Sequence, residues 1–213
     1  MNRLAAAAIL LGSATAHAYM TGPALTLDDL MRKADLVCKV TATADAIVTD
    51  ASFDKASAFR VHGTQLDVAT CFKGTAKHGH FEFRHYATGP TEPAMFEPQH
   101  YEFEVGGTYI VFAKASASGG TYRSIATWPT VKVDADAVRI ADLQVAANAK
   151  LGDVVFAGLV GLVGSKDPKA AIEGIRQLNE MSGGRALDLK DFARAPALAA
   201  IAPALANPDA SVA

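Results

Sequence analysis

Cys38 and Cys71 are the two cysteines of the chain. Two thiols cannot build a four-cysteine zinc site or a disulfide-dense miniprotein, so they leave a single disulfide or a pair of unpaired thiols, structural in either case. Three histidines, His78, His80 and His85, fall close together with Glu82 and Arg84 between them. Alternation along a strand puts His78, His80, Glu82 and Arg84 on one face and Phe81, Phe83 and His85 on the other. A His-x-His pair on a strand can grip a metal, but zinc needs three or four ligands, which His100 or Glu102 would have to complete. Arg84 on that face would repel a cation, so a solvated polar strand face and no metal site are expected. Asp45, Asp50 and Asp54 lack calcium-loop spacing and read as a solvated hairpin tip. No Gly-x-Ser-x-Gly elbow, His-Glu-x-x-His helix, Gly-x-x-x-x-Gly-Lys phosphate loop or Cys-x-x-Cys occurs. A non-catalytic protein without a cofactor is therefore expected.

The charge pattern excludes further classes. With a formal net charge of −2 over 213 residues, the chain has no basic field to hold a nucleic-acid backbone. Its start reads as a signal peptide over residues 1–18. Arg3 supplies the positive charge, Leu4 to Leu11 an apolar run too short to span a bilayer, and Ala16-His17-Ala18 the small residues of a cleavage site. Cleavage after Ala18 removes one charged residue, Arg3, and moves the net charge from −2 to −3. No later stretch is long and apolar enough for a spanning helix, because Gly158 and Gly161 break the run from Val154 to Val163. The expected location is a bacterial periplasm or the extracellular space.

Two regions of different grammar must carry these residues. Thr26 can cap a short helix bearing Leu27, Leu30, Met31 and Ala34, with Asp28 and Asp29 in its first turn. Period-two alternation from Leu36 to Val48 then marks a long strand, and Phe59 to Phe72 marks the next. In that second strand Phe59 and Val61 have one parity and Leu66, Val68 and Phe72 the other, which predicts a bulge near Gly63. Strands are expected at Gly79–Tyr86, Thr108–Ala115 and Thr121–Thr127, followed by a hairpin of Thr130–Val133 on Ala137–Ile140. Pro90, Pro93 and Pro98 make Thr88 to His100 a loop. The aromatics Phe81, Phe83, Tyr86, Phe103, Tyr109 and Phe112 alternate as core residues do, which favours packing over a stacking platform for sugars or bases. If the first two strands form a hairpin, Cys38 and Cys71 sit near its open end. Cys71 has the wrong parity to face Cys38, so a bond between them requires a second irregularity near the strand end.

Beyond about residue 150 the pattern becomes helical. Leu151 to Val163 can form one helix, and Asp167-Pro168 opens another that ends at Ser182-Gly183-Gly184. Ala171, Ile172, Ile175, Leu178 and Met181 are expected on its buried face. Leu198, Ile201 and Leu205 suggest a third helix, and Asn207-Pro208-Asp209 the opening of a fourth. The turns at Lys166-Asp167-Pro168 and Asn207-Pro208-Asp209 lie about forty residues apart, the period of a helical-hairpin solenoid. Ala213 comes where the next helix of such a repeat would begin, so the region reads as part of a longer protein.

Ala34-Asp35-Leu36-Val37, Phe72-Lys73-Gly74 and Gly107-Thr108-Tyr109-Ile110-Val111-Phe112 occur in an order that resembles the OB-fold of tissue inhibitors of metalloproteinases, netrin-type modules and many exported bacterial proteins. The resemblance covers roughly residues 26–142, and the segment beyond 150 is similar to HEAT-type repeats. It implies an α+β chain, with a five-stranded OB-like β-barrel over residues 19–145 and a HEAT-like helical region, incomplete here, over 150–213. In the inhibitors an N-terminal cysteine ligates the target zinc; Tyr19-Met20-Thr21 stands there instead, so the resemblance carries the fold and not the inhibition. The expected function is an exported protein-interaction module whose contact loop includes Glu92, Met95, Phe96, Glu97 and His100, with the helical region as a second docking surface. A secreted protease inhibitor is the alternative.

Overall fold

The computed structural model describes residues 26–53, 59–87, 100, 102–117, 119–125, 136–141 and 143–182. Helix α1 (Leu27–Lys33) opens with Thr26 as predicted. The Thr26 hydroxyl accepts from the Asp29 amide at 3.1 Å, and the Thr26 amide donates to the Asp29 carboxylate at 3.2 Å, so two otherwise orphaned N–H groups are satisfied. Six strands come next: β1 (Leu36–Ile47), β2 (Arg60–Lys73), β3 (His80–Ala87), β4 (Thr108–Ala115), β5 (Thr121–Ser124) and β6 (Ala137–Ile140). Helices α2 (Leu151–Val163) and α3 (Pro168–Ser182) complete the described chain.

The strand order β1-β2-β3-β5-β4, closed by a β1–β4 pairing, makes a five-stranded barrel. All pairings are antiparallel except β3–β5, so the barrel is mixed and its connectivity OB-like. β6 was expected to form a hairpin with residues 130–133, which lie outside the described residues. β6 pairs with the first half of β4, while β5 takes the second half of the same edge.

β4 divides the core into two. Tyr109, Val111 and Ala113 point into the barrel with Leu36, Cys38, Val40, Leu66, Phe81 and Phe83. Ile110 and Phe112 point outward, into a second cluster with Leu27 and Leu30 of α1, Val138 and Ile140 of β6, and Val155 and Leu159 of α2. A strand covered on both faces must be apolar at every position, which explains the unbroken Tyr-Ile-Val-Phe-Ala run. Lys39 shares the outward parity of Val37 yet is buried, its ammonium donating to the Leu143 carbonyl in the segment that leads to α2. The two glycines that interrupt α2 serve this packing. A Cβ at Gly158 would lie 2.5 Å from Ile140 Cβ, so the helix can approach β6 only without a side chain there.

α3 turns differently from expectation. Among its described side chains Ala170, Gly174 and Gln177 are buried, Ala171, Ile175 and Leu178 are half-buried with Leu178 packed on the outer cluster, and Ile172 is 62% exposed; the Met181 side chain lies outside the described ones. The small residues face α2 because they let the helices close, and the larger Ile172 is displaced to the rim. Residues 1–25 and 183–213 lie outside the described residues, and with them the expected leader and the expected later helices.

Candidate functional site

The β1–β2 ladder decides what the two ends of this hairpin present. Its register shifts three times, between Val37 and Cys38, between Lys39 and Val40, and between Ala42 and Ala44. None falls at Gly63, where a bulge was expected. The β2–β3 register runs unbroken from Arg60 to Asp67, and Gly63 leaves room for the Glu82 carboxylate beside Val48.

At one end, Val40 pairs with Val68 and Lys39 with Thr70, leaving Ala69 as the extra residue. That insertion reverses the parity of the rest of the strand, so Cys71 turns inward opposite Cys38. The structure joins the two as a disulfide, with Cα atoms 4.0 Å apart. Just beyond, Lys73 Nζ donates to the carbonyls of Met31 and Arg32 at 2.8 and 3.1 Å, fastening the C-terminus of α1 to the same strand end.

At the other end, Thr43 is the extra residue. Simple alternation would turn Asp45 away from the barrel and group it with a solvated tip. The shift at Thr43 turns it inward instead, beside Thr64 of β2, with His62 and His85 directly paired next along the ladder. His62 Nδ1 donates to Asp45 Oδ2 at 2.6 Å, the tautomer that an ionised carboxylate demands. The Thr64 hydroxyl donates to Asp45 Oδ1 at 2.6 Å and lies 2.7 Å from His85 Nε2. His85 Nε2 is 3.8 Å from Asp45 Oδ1, and the His85 side chain is only 1% exposed. Phe83 and Phe103 wall this imidazole, the Phe103 ring centre standing 5.0 Å away. Asp45, His62, Ala87, Glu102 and Phe103 line a half-open cavity of about 240 Å³ at this mouth.

The turn after the cavity is pinned from within the barrel. Tyr109 Oη accepts the Glu104 amide at 2.8 Å and packs on Phe103; burial pushes its phenol up from the ordinary value, against the lowering effect of that hydrogen bond. Arg139 bridges to Glu104 at 2.7 Å on the outside. His100 forms an isolated parallel bridge to Tyr86, and its ring lies 4.5 Å from that of Phe59. Glu92, Met95, Phe96 and Glu97 lie outside the described residues.

The other expected residues are placed plainly. His78 and His80 are exposed with ring centres 6.2 Å apart, and Glu82 pairs with Arg84 at 2.9 Å. No group of three or more histidine, cysteine or acidic residues suited to a metal occurs among the described residues. Asp50 caps a turn at Ser52, whose hydroxyl and amide hold its carboxyl below the ordinary range. Asp54 lies outside the described residues. Phe81, Phe83, Phe103, Tyr109 and Phe112 are buried, as core residues should be. Sequence reasoning missed His62 altogether. The available signal was His85, a titratable group at the apolar parity of Phe81 and Phe83, which must find polar partners when buried.

Beyond its disulfide end, β1 has one free side among the described residues. The β1–β4 ladder stops at Thr41, and Ala42 is held by Gly106 and Gly107. Past that point β1 pairs with β2 alone. The Val48 amide donates to Val61 of β2, so by alternation the Asp45 and Ile47 amides and carbonyls turn to the unpaired edge. Ile47 there is 58% exposed. Comparison with protein-family models finds none that matches, and a search of curated proteins finds no match either. Among the described residues, no helix is long and apolar enough to cross a membrane.

Proposed function

We propose that this protein is an exported, non-catalytic binding module that recruits an extended segment of a partner protein to the edge of β1 at residues 43–47. What carries this reading is the edge itself: backbone groups at Asp45 and Ile47 with no strand partner among the described residues, short side chains at Ala44 and Ala46, and a large exposed aliphatic at Ile47. An open edge is a template for an added strand, with main-chain hydrogen bonds giving affinity and neighbouring side-chain pockets giving selectivity. The cavity lined by Asp45, His62, Glu102 and Phe103 adjoins this edge and would read the partner's side chains. The OB-like barrel is compatible with a netrin-type or inhibitor-type scaffold, and the α2–α3 hairpin with the first unit of a HEAT-like array that offers a second surface. A disulfide suits an oxidising compartment, in keeping with export.

The test uses the exported chain as bait on the exported fraction of its native host, in three forms: wild type, Ile47→Lys and Ile172→Lys. Lysine on an exposed edge is a known way of blocking strand addition. A partner held by wild type and by Ile172→Lys, and lost with Ile47→Lys, supports the reading. A partner held equally by all three, or none held by folded wild type, overturns it.

A further inference from the structure

The cavity at the barrel mouth and the edge of β1 meet on one face of the sheet. Asp45 pairs with Thr64 and Ile47 with His62, so Asp45 and Ile47 share a face of β1, and Asp45 and His62 on that face line the cavity. Its described lining holds two carboxylates, Asp45 and Glu102, and no lysine or arginine. Arg60, exposed at the start of β2 opposite Ala87, stands outside that lining. His62 Nδ1 and the Thr64 hydroxyl each take one position on Asp45, on different oxygens. A carboxylate offers about four acceptor sites, so Asp45 keeps capacity for further donors. Glu102 is exposed, and its carboxylate has no hydrogen bond or ion pair to another described residue.

We infer that this cavity takes the cationic end of a lysine or arginine side chain carried by the strand that docks on β1. The inference rests on the edge reading above and adds what the partner must carry. Residues paired across two strands project to the same face, so the partner residue opposite Asp45 sends its side chain toward the cavity while its two neighbours turn away. A lysine or arginine side chain has an apolar stem and a charged head. Ile47, 58% exposed on the same face, offers the stem an apolar surface, and Asp45 and Glu102 offer the head its acceptors. An acidic side chain would meet two like charges. A plain aliphatic one would take water from both carboxylates without replacing its hydrogen bonds. Because the cavity is half-open, the attraction is screened by salt.

The test is amide NMR titration of the full chain with defined probes. Three blocked peptides of alternating threonine and valine carry lysine, norleucine or glutamate at the centre, and n-butylguanidinium and 1-pentanol stand for the side chain alone. The lysine peptide is expected to shift the amides of residues 44–47 and to bind roughly tenfold tighter than the norleucine peptide, the scale of one charge-assisted hydrogen bond. That advantage should shrink at high salt, and the glutamate peptide should bind weakest. Glu102→Gln, a change at an exposed position, should remove most of the advantage and leave the norleucine peptide's affinity unchanged. n-Butylguanidinium should shift the amides of Asp45, Ala87 and Glu102, and 1-pentanol should not. Equal binding of the lysine and norleucine peptides to the wild-type chain overturns the inference and leaves the edge reading standing. An advantage untouched by Glu102→Gln also overturns it. Peptides that leave residues 43–47 unshifted overturn the edge reading; the cation site then stands if n-butylguanidinium shifts Asp45 and Glu102, and falls if it does not.

Discussion

The two ends of the β1–β2 hairpin are closed by different chemistry. One is stapled by Cys38–Cys71 and backed by α1, whose last carbonyls are held by Lys73. The other is held by Asp45, His62, Thr64 and His85, and opens onto a cavity and a strand edge with no partner among the described residues. Both depend on the same device, one extra residue that reverses strand parity, Ala69 for Cys71 and Thr43 for Asp45. The difference lies in what each joint can do. A covalent joint resists opening, whereas a joint of hydrogen bonds can be opened and remade. The proposed binding surface sits at the second kind of end, where local opening costs least.

The largest break in this comparison comes from the staple. Replacing both cysteines by alanine frees a 33-residue separation, and the chain-entropy relation puts the loss at about 4 kcal/mol. Urea unfolding of variant and wild type measures it as a fall in midpoint; an unchanged midpoint would remove the staple from the account. Asp45→Ala is next. It strips two charge-assisted acceptors from partly buried donors and should cost about 2–3 kcal/mol by the same measurement. The two ends lie roughly 20 Å apart along β1, so the two losses should add when the variants are combined. A combined loss well short of the sum would mean that the hairpin answers as one unit.

Thr64→Val sharpens the comparison by removing the hydroxyl at nearly constant volume. About 1–2 kcal/mol is expected, with exchange quickened at the polar end and unchanged around Cys38. The smallest effect belongs to the stapled end and runs with acid. The Thr26 amide and hydroxyl, with Arg32 adding to them, hold the Asp29 carboxyl below its ordinary value. Its folded proton affinity is thus lower than in the unfolded chain, so the cap contributes above the unfolded value and is lost as pH falls through the folded one. Amide exchange in α1 should quicken on acidification in wild type and lose this dependence in Asp29→Asn.

Much of the scaffold was legible along the chain. Thr26 with Asp29 marked α1, alternation marked β1 and β3, the solid apolar run marked β4, and Pro168 marked the start of α3. Ile172 was not legible, because its spacing fits a buried stripe as well as an exposed one, and only the close fit of Ala170 and Gly174 on α2 decides between them. The candidate site was less legible still. Asp45, His62, Thr64 and His85 are spread over three strands, and none stands within a motif.

The sequence by itself determined the elements, their order and the residue types available to each, because backbone propensity and side-chain period act over a few neighbours. Tertiary structure alone decided the register. Where strands must pair around a closed barrel and bury both faces of β4, an extra residue at Thr43 and another at Ala69 are absorbed wherever packing demands. Each shift of one residue exchanges the inner and outer faces for every later position in the strand. That long-range demand brings Cys71 to Cys38 and Asp45 to His85, and no local pattern encodes it.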